Sequence, residues 1–385
     1  MSNKLYLLDP QMKELLRTTT WVDMHTHTRD WSQSNKDTVK HALELAYASG
    51  GSAIAAMPNT DPALTTLELC RDYLSLARDV KVPVQFYVHI GLTSDTEQVK
   101  RAVEAYHKEP DICGMKMFFG RSTGNLGVIK KKEQRRVIKT LAEEGYKGIL
   151  ASHFEKESLM DDKAYNSKKP ITWSEKCRPE AAEIKSFCDA LRAARDCNFE
   201  GTIHVAHVST VNVADFIYRH KEGPVKLSCG ITPHHAFLSN KYLKGKNGAW
   251  YKCNPPLRSE KTQEKMLDLF LHGKIPIIES DHAPHTKEDK KYKKARKNGQ
   301  QDKLPASGIT SGVIWPYLKG ILIKKGMQPE MIREAMFDNA VRLYNLEDKI
   351  EPEERKIDWD ALEKITAEYP HDPFDKPFRE GVLNF

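Results

Sequence analysis

Short apolar runs rich in β-branched residues alternate along this chain with longer stretches of helical spacing. This alternation is typical of βα units, whose strands associate into a parallel sheet. Eight such units predict an α/β fold of the (β/α)8 barrel type, in which reactive residues are expected at the carboxyl ends of the strands. The predicted strands are 20–24, 53–57, 85–90, 114–118, 148–152, 202–206, 225–228 and 275–280.

Two of the helical stretches have recognisable ends. The pattern predicts a helix over 38–49, with Asp37 as its N-cap and Gly50 closing it. A second helix is predicted over 329–343, beyond the eighth strand, with Pro329 in its first turn.

The chain divides at the end of this last helix. We expect residues 1–345 to form the barrel and residues 346–385 to form a C-terminal extension that packs on it. The closing segment, 351–385, is rich in proline, charged and aromatic residues, which favours a wrap-around extension over a separate domain.

Charge and composition narrow the possible partners. The net charge of +7 favours anionic ligands, and much of the excess lies in the basic segment 287–303. Such a run is usually a solvated loop, so we do not expect nucleic-acid binding. We expect no membrane span or secretory signal. The seven scattered cysteines contain no CxxC pair, which favours a reducing, cytoplasmic location.

The first predicted strand leads into His25, His27 and Arg29. Side chains alternate along an extended segment, so these three are expected to point to one side. Two imidazoles at this spacing can bind one metal, and the arginine can hold an anion beyond it. Taken alone, two histidines near a strand end are more often polar loop residues.

Lys116 interrupts the apolar run of the fourth predicted strand. A lysine inside such a strand is costly unless it is neutralised or paired. It could extend to the barrel rim. Alternatively, it could be a desolvated amine that reacts with CO2 to give a carbamate, which can bridge two cations.

Further candidates follow the fifth, sixth and eighth predicted strands. His153 and His207 each lie at a strand end, although a single histidine is more often a hydrogen-bonded core residue. For His204, a structural role in the scaffold and a supporting role beside the metal ligands are about equally expected. Asp281 could ligate a metal and accept a proton from its water. It could also cap a helix, but Pro284 disfavours a helix there.

Together these residues supply four histidines, one lysine and one aspartate at the strand ends. Such a set suits two divalent ions about 3.5–4 Å apart that share a hydroxide. The candidate metal set is His25, His27, Lys116, His153, His207 and Asp281.

From residue 21 to 343 the chain resembles the amidohydrolase superfamily, and within it the dihydroorotases. The motifs that carry the resemblance are HTHTR at 25–29, MPNT at 57–60, CNPPLR at 253–258, DHAPH at 281–285 and the supporting TPHH at 232–235. The resemblance implies one Zn²⁺ held by His25, His27 and Asp281, and a second held by His153 and His207. It implies carboxylated Lys116 and a hydroxide as bridges, Asp281 as the catalytic acid and base, and a substrate-carboxylate clamp of Arg29, Asn59, Asn254 and His285.

The implied reaction is the reversible cyclisation of N-carbamoyl-L-aspartate to L-dihydroorotate. Allantoinase or hydantoinase activity and a non-catalytic scaffold role are the alternatives. The implied partner is a small anionic substrate, and a homodimer is left open. Only 24 residues precede His25, so the β-sandwich appendage that such proteins carry is expected to be reduced or absent.

Overall fold

The computed structural model describes residues 14, 16–122, 125–294 and 302–384. Eight parallel strands, β2 to β9, form a sheet whose order follows the chain. The strands are β1 (Thr18–Thr19), β2 (Trp21–Thr26), β3 (Gly51–Ala56), β4 (Gln85–Gly91), β5 (Ile112–Phe118), β6 (Ile149–His153), β7 (Thr202–Val205), β8 (Lys226–Ile231), β9 (Ile277–Ile278) and β10 (Arg355–Lys356).

The sheet curls until its two edges meet. Thr26, at the end of β2, forms a parallel bridge with His282, which follows β9. The His27 N–H then donates to the His282 carbonyl at 2.8 Å. The predicted (β/α)8 barrel is therefore confirmed, and each predicted strand corresponds to one of the barrel strands.

At least one helix separates each barrel strand from the next. They are α1 (Val39–Ala48), α2 (Leu67–Ser75), α3 (Thr96–Lys108), α4 (Lys131–Glu143), α5 (Glu180–Asp196), α6 (Val211–His220), α7 (Pro233–Phe237), α8 (Glu260–Leu271), α9 (Trp315–Lys324), α10 (Pro329–Arg333), α11 (Asn339–Leu343), α12 (Trp359–Ala367) and α13 (Asp375–Arg379).

The helix predicted over 38–49 is found as α1, but the predicted N-cap is wrong. Thr38 has an extended backbone, and its hydroxyl accepts from the His41 N–H at 3.1 Å. This places the capping oxygen one residue later than expected. The Asp37 carboxylate is buried and contacts the His41 ring at 2.7 Å and the Tyr369 hydroxyl at 3.0 Å.

The helix predicted over 329–343 is continuous but not uniformly α-helical. Pro329 begins α10, a π-helical turn spans Glu334–Asp338, and α11 completes the helix. Phe337 and Tyr344 pack against Val22 and Tyr87 in the inner core. The segment therefore helps to fill the barrel interior.

The barrel wall separates an outer apolar layer from a partly polar interior. Met115 and Met117 of β5 belong to the core between strands and helices. Because side chains alternate along a strand, Lys116 faces the interior. It is 0% exposed.

The chain beyond the barrel returns to its beginning. Strand β10 pairs antiparallel with β1, with Thr18 opposite Lys356. This is the one sheet outside the barrel among the described residues. The Tyr369 hydroxyl donates to Asp37 next to α1. The division into 1–345 and 346–385 stays a prediction.

All seven cysteines are free thiols. Within the described ranges, no helix is both long enough and apolar enough to traverse a lipid bilayer.

Candidate metal centre

The closure of the barrel brings His25, His27 and Asp281 together. One potential ligand atom from each residue lies within 4.8 Å of the others. The Asp281 Oδ1 atom is 2.9 Å from His27 Nε2 and 3.5 Å from His25 Nε2. Two imidazoles and a carboxylate in this arrangement are suitable ligands for one divalent transition metal.

His153 and His207 form a second pair beside the first. His153 Nδ1 lies 3.1 Å from His207 Nε2. The rings of His25 and His207 are 5.2 Å apart between centroids, which joins the two groups into one cluster. The structure thus brings together the five histidine and aspartate ligands that the sequence proposed.

Two residues of this cluster have an unusual backbone. His207 and Asp281 are both left-handed, each with φ of 46°. This conformation costs a non-glycine residue roughly 1–3 kcal/mol and is concentrated at functional sites. At both positions the chain turns sharply where the strand ends, which aims the side chain into the barrel mouth.

The ionisation states suit metal binding, which needs neutral imidazoles and ionised carboxylates. Burial lowers the pKa of His27 to about 4 and holds the pKa of His25, His153 and His207 below the ordinary value. Burial alone would raise the pKa of Asp281, but the hydrogen bond from His27 and the nearby His25 hold it below its usual range.

Lys116 lies beneath this cluster without a hydrogen-bond partner for its Nζ atom among the described residues. Burial lowers the pKa of this amine to about 8, so much of it is uncharged at mildly alkaline pH. A buried amine without a partner is unfavourable as it stands. The donor set therefore fits an anionic group at this position better than an ammonium.

Glu279 is a functional candidate that the sequence did not identify. It is buried, and its Oε1 accepts from the backbone N–H of His207 at 2.5 Å. Its Oε2 lies 3.3 Å from His204 Nε2 and 3.6 Å from His25 Nδ1. His204 therefore contacts Glu279, which supports the cluster. His204 is not itself among the candidate metal ligands.

Glu155 performs a similar task for the second pair and was also missed. Its Oε2 accepts from His153 Nε2 at 2.9 Å and from the guanidinium of Arg178. Burial opposes its ionisation, but Arg178 and His153 together lower its pKa to about 2. Because this bond fixes the far nitrogen of His153, it directs Nδ1 toward His207.

A narrow cavity opens above the cluster. Its wall contains three of the four predicted carboxylate-binding residues, together with the five cluster ligands. The lining residues are His25, His27, Arg29, Asn59, Phe118, Ser122, His153, His207, Asn254, Asp281, Ala283, Ser307 and Gly308.

Arg29 reaches the cavity by a different route from the one predicted. Strand β2 ends at Thr26, and Arg29 has a left-handed backbone with φ of 60°, so simple strand alternation does not place it. Its carbonyl accepts from the Tyr73 hydroxyl at 2.6 Å. The turn is thereby fixed with the guanidinium on the cavity side.

His285 lies behind Arg29 and outside the cavity lining. Its Nε2 is 3.2 Å from Arg29 Nη2 and 3.2 Å from the Ser307 carbonyl oxygen. The Pro284 carbonyl accepts from Arg29 Nε at 3.3 Å. These contacts make His285 a neighbour of the arginine, and its predicted contact with the substrate carboxylate stays a prediction.

His234 and His235 of the TPHH segment form a further buried cluster with Cys253 of the CNPPLR segment. Their potential ligand atoms lie within 4.8 Å of one another. Both ring nitrogens of His235 already have partners, Thr232 Oγ1 at 2.7 Å and the Pro255 carbonyl at 3.1 Å. The contact with Pro255 supports the chain next to Asn254, and the supporting role of this motif stays a prediction.

No protein-family model matches the chain. A curated dihydroorotase of Lactobacillus gasseri is 27% identical over 336 residues, which cover 85% of this chain and 73% of the relative. The dihydroorotase of Lactobacillus leichmannii is 27% identical over 357 residues, which cover 90% of this chain and 78% of the relative.

Solved structures share the fold. The L-hydantoinase (dihydropyrimidinase) of Arthrobacter aurescens matches with a TM-score of 0.72 and 20% identity, covering 86% of this chain and 72% of its own. A dihydroorotase of Campylobacter jejuni matches with a TM-score of 0.63 and 20% identity, covering 88% and 86%.

The barrel of this chain is similar to those of the solved hydantoinase and dihydroorotase structures. Its histidine-rich centre lies at the carboxyl ends of the strands. At the level of sequence, the chain is similar to curated dihydroorotases.

Proposed function

We propose that this protein is a dihydroorotase, which interconverts L-dihydroorotate and N-carbamoyl-L-aspartate in pyrimidine biosynthesis. One observation carries the proposal. Arg29, Asn59 and Asn254 line the same cavity as the five candidate metal ligands. A cyclic amide that bears a carboxylate needs this combination, because its two ends must be recognised at once.

Two divalent cations, for which zinc is the expected metal, fit the donor set. His25, His27 and Asp281 would hold one of them, and His153 and His207 would hold the other. Lys116, carboxylated on its amine, would supply an anionic oxygen to both. When bound, such cations polarise a carbonyl oxygen and lower the pKa of water.

We propose that Asp281 transfers the proton during the reaction. It is ionised, and its Oδ1 atom lies at the base of the cavity beside His25 of β2 and His27, which follows that strand. It would take a proton from the attacking water and deliver it to the departing ring nitrogen. In the direction of ring closure, the same carboxylate would remove the proton from the attacking nitrogen.

The substrate carboxylate would bind on the opposite wall. The Arg29 guanidinium can pair with a carboxylate through two parallel hydrogen bonds, and the side-chain amides of Asn59 and Asn254 can donate to the remaining lone pairs. His285, placed behind Arg29, would hold the guanidinium in position. A homodimer stays a prediction.

The test is a metal analysis of the purified protein together with hydrolysis assays on dihydroorotate, allantoin and hydantoin. We expect turnover of dihydroorotate that is lost with a chelator and restored by zinc. Turnover of hydantoin or allantoin without dihydroorotate would assign a different cyclic amidohydrolase. Metal-loaded protein inactive on all three would indicate a non-catalytic scaffold.

A further inference from the structure

The basic segment 287–303 is not only the solvated loop that its composition predicts. Residues 295–301 lie outside the described residues, but Lys290 is described and is 6% exposed. Burial lowers the pKa of its amine to about 7. Burying a lysine is unfavourable unless its donors are satisfied.

All three donors of Lys290 can be satisfied by backbone carbonyls. Its Nζ lies 2.5 Å from the carbonyl oxygen of Gly308, 3.1 Å from that of Ala306 and 3.3 Å from that of Lys252. An ammonium has three N–H donors, so the three carbonyls use its full capacity.

These carbonyls belong to two separate segments of the cavity wall. Asn254 follows Lys252 by two residues, and Ser307 and Gly308 line the cavity themselves. Two further bonds join the segments: the Gly308 N–H donates to the Lys252 carbonyl at 2.9 Å, and Lys252 Nζ donates to Ser307 Oγ at 2.6 Å. We call these two stretches, 252–254 and 306–308, the cavity rim.

The rim leaves little room for displacement. Gly308 has φ of +155°, and a Cβ atom there would lie 2.7 Å from the Ala283 carbonyl oxygen and 2.8 Å from His285 Nε2. Because His285 contacts Arg29, a shift of the rim would also disturb the arginine.

We propose that Lys290 is a positioning residue that fixes the cavity rim, and with it Asn254 and the Ser307–Gly308 backbone, for binding of the ring substrate. Its role in substrate binding rests on the proposed dihydroorotase function, whereas its hold on the rim does not. The residue contacts no candidate metal ligand, so its effect should fall on substrate binding.

The test compares Lys290→Met with Lys291→Met in the metal-loaded protein. Lys291 is the matched control, because it is the next lysine and its Nζ pairs only with exposed Glu288 among the described residues. In Lys290→Met we expect KM for dihydroorotate to rise on the order of tenfold or more, since the contacts of Nζ with three rim carbonyls are lost. Metal content should be unchanged and kcat should change much less than KM.

A second measurement needs no substrate. Hydrogen–deuterium exchange of peptides covering 302–310 should be faster in Lys290→Met than in the parent protein or in Lys291→Met. Lys290→Gln, which keeps two donors on a shorter side chain, should give intermediate KM and exchange rates.

The outcomes separate the two hypotheses. Unchanged hydrogen–deuterium exchange in Lys290→Met would show that Lys290 does not fix the cavity rim. Faster exchange with an unchanged KM would show that Lys290 fixes the rim but has no role in substrate binding. If both Lys290 variants fail to fold while Lys291→Met folds, the lysine belongs to the fold and the proposal is wrong. Faster exchange in a protein whose parent form does not turn over dihydroorotate would contradict only the proposed function.

Discussion

The Nδ1 atom of His153 and the Nε2 atom of His207 face each other across 3.1 Å, although the two residues are 54 positions apart in the chain. Burial holds the pKa of both imidazoles below the ordinary value, so both rings are neutral near pH 7. Two neutral nitrogens aimed at one point, from the ends of neighbouring strands, are a ready pair of ligands for a cation.

The first prediction follows from this pair. The parent protein should bind about two zinc ions per chain, the number expected of a binuclear hydrolase centre. His153→Ala or His207→Ala should retain at most one tightly bound ion and lose turnover. Elemental analysis after dialysis measures the metal. Exposed His272→Ala is the control, and full metal content and activity in both site variants would contradict a binuclear centre.

The second prediction concerns Lys116. An unmodified ammonium between two cations is repelled by both, so the amine should be carboxylated in the metal-loaded protein. Lys116→Ala should be inactive and should regain part of its activity and metal content with small carboxylic acids. A crystal structure of the active, metal-loaded protein with an unmodified Lys116 side chain would exclude this modification.

A third prediction tests the carboxylate that orients His153. Glu155→Gln keeps the size of the side chain but removes the charge, and Gln can accept only through one oxygen. Outer partners of metal-bound histidines typically contribute ~10–100-fold to metal affinity, so zinc affinity should fall by about that factor. Competition with a chromophoric chelator measures it.

The control for Glu155 is Glu157→Gln, since Glu157 lies two residues further along and pairs with exposed Arg121 at the surface. Equal zinc affinity in the parent and Glu155→Gln proteins would mean that the Glu155–Arg178 pair serves only the fold.

The fourth prediction is a pH dependence of stability in the metal-free protein. Burial lowers the pKa of His89 from 6.5 to about 3, and its Nε2 contacts the Met24 carbonyl at 3.0 Å. Between these pH values the unfolded chain binds a proton that the folded chain does not. The free energy of unfolding should therefore fall as pH is lowered from about 6.5 toward 3, by up to ~1.4 kcal/mol per pH unit for one such group.

His89→Gln can keep a donor to Met24 but does not titrate, so its free energy of unfolding should fall less steeply with decreasing pH. Chemical denaturation at pH 6.5 and pH 5 measures the slope, and exposed His272→Gln is the control. A slope identical to that of the parent would show that His89 is not neutral in the folded protein.

The barrel and most of the centre were predictable because local signals carried them. Buried parallel strands are continuous apolar runs. A histidine or aspartate at the carboxyl end of such a run is expected to lie at the mouth of the barrel. His25 and His153 lie in the last two residues of their strands, and His27, His207 and Asp281 follow theirs within three residues.

The residues that the sequence missed depend on distant parts of the chain. Glu155 looks like a surface residue after a strand until Arg178 covers it from 23 positions away. Lys290 lies in a run of surface-like charges, and only the carbonyls of the distant rim reveal its burial. Asn59 was predicted to bind the substrate only because it lies in the MPNT motif. A single asparagine after a strand does not by itself predict a binding site.

We expect Arg29 to decide the substrate class, and this expectation is the basis of the last prediction. It is 2% exposed, and its guanidinium lies between the cavity and His285, with Nη2 3.2 Å from His285 Nε2. Burial works against its charge, although Asp281 supports it. A buried guanidinium on a cavity wall is best stabilised by an anion that enters with the substrate.

Arg29→Met should therefore keep both metals and lose dihydroorotate hydrolysis, because the substrate carboxylate would be desolvated without a partner. Removing one partner of such a buried pair costs about 2–5 kcal/mol, which corresponds to a fall in kcat/KM of roughly 30-fold to several thousand-fold. A neutral cyclic amide such as hydantoin should be affected much less. Lys36→Met, which removes a neighbouring cation outside the cavity lining, serves as the control. Equal losses on the charged and neutral substrates would show that Arg29 maintains the turn after β2, and the function would then be limited to hydrolysis of cyclic amides in general.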